Sequence, residues 1–570
     1  MKKRTLLTCG LAAALFAGCS SDDKLTVDDG TVSNGTGYVS LRIALPSTSG
    51  GNRATGANDQ ANDQFNQGTS DEYKVNDITL IFFDENNKYV ETHKLTDAGS
   101  WSSSTATGIT TDYTIPAQQV SENVKKVLVL LNTPTGINTS PNSFEAFNSA
   151  LTADVKDLTG DAKDDFFMSN TTIAIAGEDP MTLVPVETKN TAAEAVAAAH
   201  TIHVERAVGK VSISHAADDW STWTYTVPTS STVHPGDKIE IKNWVLDNTN
   251  TQYYPVRKFN KAWGTLETAD GTSINPNRFQ SYSPDYVAYT SAGAATSGYR
   301  TYWAEDPNYN QDATTLTQFT PTYERTPGNF IGIEEIDQDL STDLYCLENT
   351  FDVKRMKQQN TTCAILKAQY TPNITGYNVG DNWYLIGNST IPRTEAQVIA
   401  AANEAIAGSD PVTAVTFNNG KNTTLTAANF VGASDAQAAT IASYLGSVTK
   451  YTKGYCYYIV RIQHFGSYVN AGAGYVYTPW GGEQYSWGST TDEKYVDYTT
   501  SADTYLEGKY LGRYGIVRNN WYELELGTIS GPGDPEKPSS TTDPDDTKKT
   551  YISATVKIMD WAVRKQSVNL

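Results

Sequence analysis

Cysteine is scarce in this chain of 570 residues, with five in all. Cys9 and Cys19 sit near the start, which leaves Cys346, Cys363 and Cys456 in the body. An odd set allows at most one disulfide, so a densely cross-linked scaffold is excluded, and the spacing offers no paired metal-ligand set. Cys363 and Cys456 lie in the apolar runs TTCAILKAQY and GYCYYIVRI, where a buried free thiol is the expected state. Positive charge is also short. With 43 basic against 64 acidic side chains the net charge is −21, which argues against nucleic acid or an anionic membrane surface as a partner.

Signatures of catalysis and cofactor binding are missing too. His200, His203 and His215 are close in sequence, but their spacing fits no helical or ribbon metal site. Asp218 and Asp219, and the DPDD run at 543–546, lack the ligand order of a calcium loop. No Gly-rich phosphate loop, Ser elbow or supported Cys–His pairing occurs. The expectation is a protein that is not an enzyme and carries no metal or cofactor.

Strand formers are plentiful: 34 Tyr, 11 Trp and many Thr, with 42 Gly for turns, point to a mainly β fold. The length exceeds what one core usually supports, so two principal domains are expected. Lys2, Lys3 and Arg4 precede an apolar stretch from Leu6 to Phe16 and the small residues Ala17 and Gly18, which reads as a secretion signal over 1–18. That stretch is too short to span a membrane. Phe16-Ala17-Gly18-Cys19 resembles a bacterial lipobox with Cys19 as the lipidated residue, and SSDDK after it resembles an acidic surface-export tag. No second apolar run of membrane length follows, so lipid alone is expected to hold the chain at the outer membrane.

One alternating apolar strand occurs near each end. Val39, Leu41, Ile43 and Leu45 alternate with Ser40, Arg42 and Ala44, and Ile552, Ala554, Val556 and Ile558 alternate with Ser553, Thr555 and Lys557. Strict alternation puts four side chains on one face of a strand, so either segment could fill the same kind of sheet groove. Trp561 and Val563 continue the second piece with the register shifted by one, as at a bulge or bend. After the first strand, Ser47 to Ser70 is nearly all small or polar and reads as an exposed loop, the kind of segment proteases cut. Arg53 is its only basic residue. Before the second strand, Gly527 to Lys549 is Pro-broken and apolar-poor and reads as an extended, mobile tether.

Between these ends, DITLIFFDENNKYVETHKL reads as a hairpin and VKKVLVLL as a buried strand. Ser143 to Leu151 and the Ala-rich stretch 191–200 read as short helices, with the domain boundary at 199/200. Thr201 to Ile213 opens the second domain. Within it, helices over 393–408 and 434–445, the first with a Thr394/Gln397 capping box, look like an insertion on a β framework. Strands at 455–463, 514–517 and 521–526 follow. Arg206 and Arg518 are expected to pair with carboxylates or carbonyls in sheet turns.

Four places carry a resemblance: the lipobox at Cys19, the Arg53-Ala54 loop, VERAVGKV over 204–211, and VRNNWYELEL over 517–526. Together the chain resembles the fimbrilins, the major subunits of type V pili, and most of all their short-fimbria branch. The resemblance implies two transthyretin-like β-sandwich domains with short helices inserted, at 54–199 and 200–530. It also implies a propeptide of 19–53 removed on maturation, and a flexible tether with a donor strand at 531–570. Cutting between Arg53 and Ala54 by an Arg-specific surface protease would release the first strand, and the terminal strand of another copy would take its place. Accessory anchor and tip pilins are the other implied partners. The rival reading is a fimbrial tip adhesin or surface glycan-binding lipoprotein, prompted by Tyr475, Tyr477, Trp480, Tyr485 and Trp487. A tip subunit has no need of an insertable terminal strand and an anchor has no need of the Arg loop, so the stalk role fits best.

Overall fold

The computed structural model describes residues 35–48, 65–66, 68–106, 109–175, 178–216, 220–259, 286–309, 330–331, 336–351, 357–407, 411–462, 464, 468–471, 474–477, 512, 514–538, 552–561 and 563–564. The strands that organise it are β1 (Thr36–Ala44), β2 (Ile78–Phe83), β3 (Tyr89–Leu95), β4 (Ser102–Ala106), β5 (Ile109–Ser121), β6 (Lys126–Leu131), β7 (Met168–Asn170) and β8 (His200–Arg206). These run in the order β3-β2-β6-β7-β8-β1-β5-β4, with Val184–Pro185 as a ninth strand beside β6. Their apolar side chains share one core, in which Ile43, Leu80, Phe82, Val129 and Ile202 are fully buried. The β2–β3 turn shows why the chain folds back there: Asp84 Oδ1 accepts from the Asn86 and Lys88 amides, and Asn87 takes φ 61.

A second core lies between two five-stranded sheets. The strands are β9 (Val208–His215), β10 (Trp220–Ser221), β11 (Thr224–Thr226), β12 (Lys238–Asp247), β13 (Leu344–Leu347), β14 (Cys363–Thr371), then β15 (Trp383–Ile386), β16 (Gly420–Asn422), β17 (Val448–Tyr451), β18 (Tyr455–Arg461), β19 (Asn520–Ile529) and β20 (Ile552–Trp561). One sheet runs β13-β9-β19-β20, ending on the short Phe65–Asn66 strand, and the other runs β10-β11-β12-β14-β18. Alternation does the work: β19 buries Tyr522, Leu524 and Leu526 while Glu523 and Glu525 face away. The fold is mainly β, with four short α-helices among the described residues: α1 (Phe144–Phe147), α2 (Ala192–Ala197), α3 (Glu395–Ala405) and α4 (Asp435–Leu445).

β14 and β18 are direct neighbours, so everything from 372 to 454 is an excursion between two adjacent strands. It carries α3, α4 and the β15-β17-β16 sheet around a small core of its own, with Val398, Phe430, Ile441 and Val448 fully buried. The capping box of α3 uses Thr394 and Gln397, and Gly446 ends α4 with φ 70.

Four expectations change. β8 pairs in parallel with β1, so the strand from 200 to 206 belongs to the first sheet, and the chain changes sheets at Ala207 rather than at 199/200. TIHVERAVGKVSI alternates without a break, and alternation alone does not say where a chain changes sheets. The tether is shorter than its composition suggests, because β19 extends to Ile529 and residues 531–534 lie against β18. Prolines and glycines there still offer backbone groups, and a bare sheet edge accepts them. Ser143 to Leu151 holds only the single turn of α1, and Tyr514 and Ile516 make isolated bridges rather than a strand.

Candidate functional site

The first strand lies in the interior of its sheet. β1 pairs antiparallel with β5 through Thr36↔Ser121 to Ala44↔Asp112, and parallel with β8 through Leu41↔His200 to Ala44↔His203. Both ladders are used, so removing β1 would leave two facing rows of backbone donors and acceptors with an apolar floor. Val39, Leu41, Ile43 and Leu45 are between 0 and 3 % exposed, all in the first core. The alternating set read from the sequence is therefore the inward face. α2 packs across β1 and β5 on the other side.

Local details fix this strand in register. Pro116 has no N–H to give, and the β1–β5 ladder slips between Val39 and Leu41. Ser40 Oγ donates to Ile115 O at 2.7 Å there. Upstream, the Tyr38 amide donates to Lys189 O at 2.8 Å and the Lys189 amide to Tyr38 O at 2.9 Å. Gly37 lies so close to Thr188 that a Cβ would come within 2.9 Å of Thr188 Cβ. Cys19, Arg53 and Ala54 lie outside the described residues.

The terminal strand pairs within its own chain. β20 runs antiparallel to β19, with Ile558 opposite Tyr522, Val556 opposite Leu524, Ala554 opposite Leu526 and Ile552 opposite Ile529. On its other side, among the described residues, it pairs with the two-residue strand Phe65–Asn66, at Asp560 and Trp561, and Val563–Arg564 pairs with Ser47–Thr48.

The two cores meet through buried ionic groups that the sequence reading passed over. Lys210 Nζ contacts Glu72 Oε1 at 2.7 Å and Asp343 Oδ2 at 2.8 Å, and sits over the Trp521 ring at 3.6 Å. Tyr345 Oη donates to Glu72 Oε1 at 2.7 Å. Burial works to raise the Glu72 carboxyl, but the charges of Lys210 and Arg206 outweigh it and hold it below its ordinary value. Arg206 donates to Glu72 O and to Asn519 Oδ1, and Arg518 Nε donates to Glu348 Oε2 at 2.9 Å, so both arginines have the structural partners expected of them. Arg257 makes two 2.9 Å bonds to Glu205. The available signal was Glu205, Arg206 and Lys210, three charges inside an apolar strand run, which are tolerated only when paired.

The histidines pack on rings: His200 on Tyr289 at 3.9 Å, His203 on Tyr286 at 4.3 Å and His215 on Trp220 at 5.3 Å. Cys346, Cys363 and Cys456 are buried and in no disulfide, and burial pushes the Cys346 and Cys456 thiols up to about 12. Tyr475 and Tyr477 fall in a short strand, while Trp480, Tyr485 and Trp487 lie outside the described residues.

Comparison with known proteins is informative at both ends. Residues 38–206 match the family model described as major fimbrial subunit protein (FimA). Residues 493–567 match the model described as major fimbrial subunit protein type IV, fimbrillin, C-terminal. The first match spans β1 to the end of β8, the strands on either side of the candidate groove. No curated protein matches the chain. Among solved structures it is similar to a fimbrilin (fimA) from Porphyromonas gingivalis, at 12 % identity and TM-score 0.35, covering 93 % of this chain and 98 % of that one. It is also similar to the tip fimbrial protein Mfa3 from Porphyromonas gingivalis, at 11 % identity and TM-score 0.31, covering 92 % and 100 %.

Proposed function

We propose, from the matches to fimbrial-subunit models over residues 38–206 and 493–567, that the chain is a fimbrilin and a structural stalk subunit of a cell-surface fimbria that polymerises by exchanging strands. It is exported as a lipoprotein anchored at Cys19, and an Arg-specific surface protease cuts it between Arg53 and Ala54. The cut detaches the lipid and β1 together. The segment Ile552–Ile558 of a second copy then enters the groove between β5 and β8. Accessory anchor and tip pilins complete the fibre, which supports adhesion and biofilm formation.

The observation that carries this reading is the position of β1: a strand near the start of the chain, paired on both sides and buried in the core, followed by the segment that contains Arg53. Placing Ile552, Val556 and Ile558 in that groove would contribute about 1.5–3 kcal/mol for each large side chain, with two ladders giving direction. Leaving β19 subtracts one ladder, so the net drive is the difference between a strand flanked on both sides and one flanked mainly on one. The test is to treat the purified precursor with an Arg-specific protease and look for ladders on a gel and fibres by electron microscopy. Fibre subunits whose N-terminus lies upstream of Val39 would contradict the reading.

A further inference from the structure

The insertion between β14 and β18 has no part in the strand exchange described above, yet it touches the root of the C-terminal tether. After β19 ends, Gly531, Pro532 and Gly533 are buried against the edge of β18. The Tyr457 amide donates to Asp534 O at 2.8 Å and the Asp534 amide to Tyr457 O at 2.9 Å, so the segment pairs like a short extra strand. Tyr458 Oη donates to Gly531 O at 3.0 Å. Two further bonds come from the insertion: Tyr451 Oη to Gly533 O at 3.1 Å, and Asn419 Nδ2 to Pro535 O at 2.6 Å. Asn419 is itself oriented, because its Oδ1 accepts from the Thr452 amide at 3.0 Å.

Two glycines allow this close approach. A Cβ on Gly533 would lie 2.2 Å from Tyr457 O, and one on Gly420, at φ +89, would lie 2.5 Å from the Glu536 carboxyl carbon. Backbone meets backbone at the first position, where no side chain can swing away.

We propose that the insertion and β18 together clamp residues 531–536, so that the chain leaves the second domain at a fixed point and in a fixed direction. Only residues 537–551 then carry it from the clamp to the terminal strand. Fully extended, that stretch reaches no more than about 50 Å. The proposal rests on the strand-exchange reading and deepens it: a fixed exit with a short reach sets the spacing between subunits and passes tension into the β14–β18 sheet rather than into β19 alone.

The test compares the full-length wild type with an Asn419→Ala, Tyr451→Phe double variant, which keeps the aromatic ring that stacks on Trp383. In the wild type, hydrogen exchange at the Tyr457 and Asp534 amides should be slow, as in the flanking strands. Exchange there as fast as in an unstructured peptide would overturn the clamp. In the double variant, exchange at 531–536 should rise roughly tenfold while the β12–β14 amides stay unchanged. Protease-cut double-variant subunits should still form fibres, but with a broadened subunit-to-subunit repeat in electron micrographs. A released segment with an unchanged, narrow repeat would also overturn it. Fibres formed by subunits truncated after Lys549 would instead refute strand exchange, and the clamp is then decided by the wild-type exchange pattern alone.

Discussion

The two alternating strands at the ends of the chain are alike in sequence and unlike in setting. β1 has a ladder on each side and four core side chains at most 3 % exposed, whereas among the described residues β20 has a full ladder with β19 alone and a two-residue strand on its other edge. A strand held on both sides leaves only with large loss, which a covalent cut can make irreversible. A strand held mainly on one side can leave by equilibrium opening. The difference is what the proposed roles require: an N-terminal strand that only cleavage removes, and a C-terminal strand free enough to be exchanged.

The same change made in both strands gives the sharpest contrast. Ile43→Asp buries an unpaired charge in the first core and should cost more than about 4 kcal/mol, enough to prevent the uncut precursor from folding. Val556→Asp should leave the cleaved subunit folded and abolish fibres, if that residue is supplied to a neighbour as proposed. Thermal unfolding and electron microscopy read the two outcomes, and equal destabilisation by both changes would erase the comparison. Next in size, Arg53→Ala should leave a full-length, lipidated protein that does not assemble, with its unfolding midpoint unchanged, as mass spectrometry and calorimetry would show.

A smaller effect separates the cut from the uncut state. Leu41→Ala should lower the stability of the precursor by about 2–5 kcal/mol. It should have no effect once the subunit is cut and β1 has left, so denaturant curves before and after cleavage should diverge and then coincide. The smallest effect lies at the seam between cores. The Glu72 carboxyl is held below its ordinary value of 4.5, so the stability it contributes is fully present above that pH and is lost as the pH falls through the lowered folded value. Glu72→Gln should cost about 1–3 kcal/mol at pH 7, and the gap from wild type should narrow steadily below pH 4.5. A gap independent of pH would separate Glu72 from the Lys210 pairing.

Much of this was legible from residues alone. Alternation marked Val39 to Leu45 as a buried face, a capping box marked the first helix of the insertion, and DENNK marked the β2–β3 turn, because each of those signals is local. What was not legible depends on distant partners. β8 and β9 read as one element because both sheets want the same alternation, and the change of sheet at Ala207 follows only from which neighbours are already in place. The segment 531–534 reads as tether because it has almost no apolar side chains, and its docking uses backbone groups that composition does not register. Glu72 looked like a loop acid until Lys210, Tyr345 and Arg206 arrived from far along the chain.

The central claim is that the groove emptied by cleavage takes the terminal strand of another copy. Its most direct test is to mix two subunits that each keep half of the exchange: a protease-cut subunit truncated after Lys549, which has an open groove and no strand to give, and an uncut Arg53→Ala precursor, which has a strand to give and no open groove. The account predicts that each remains monomeric alone and that the mixture yields a 1:1 complex by light scattering. A mixture that stays monomeric, or truncated subunits that polymerise by themselves, would contradict it.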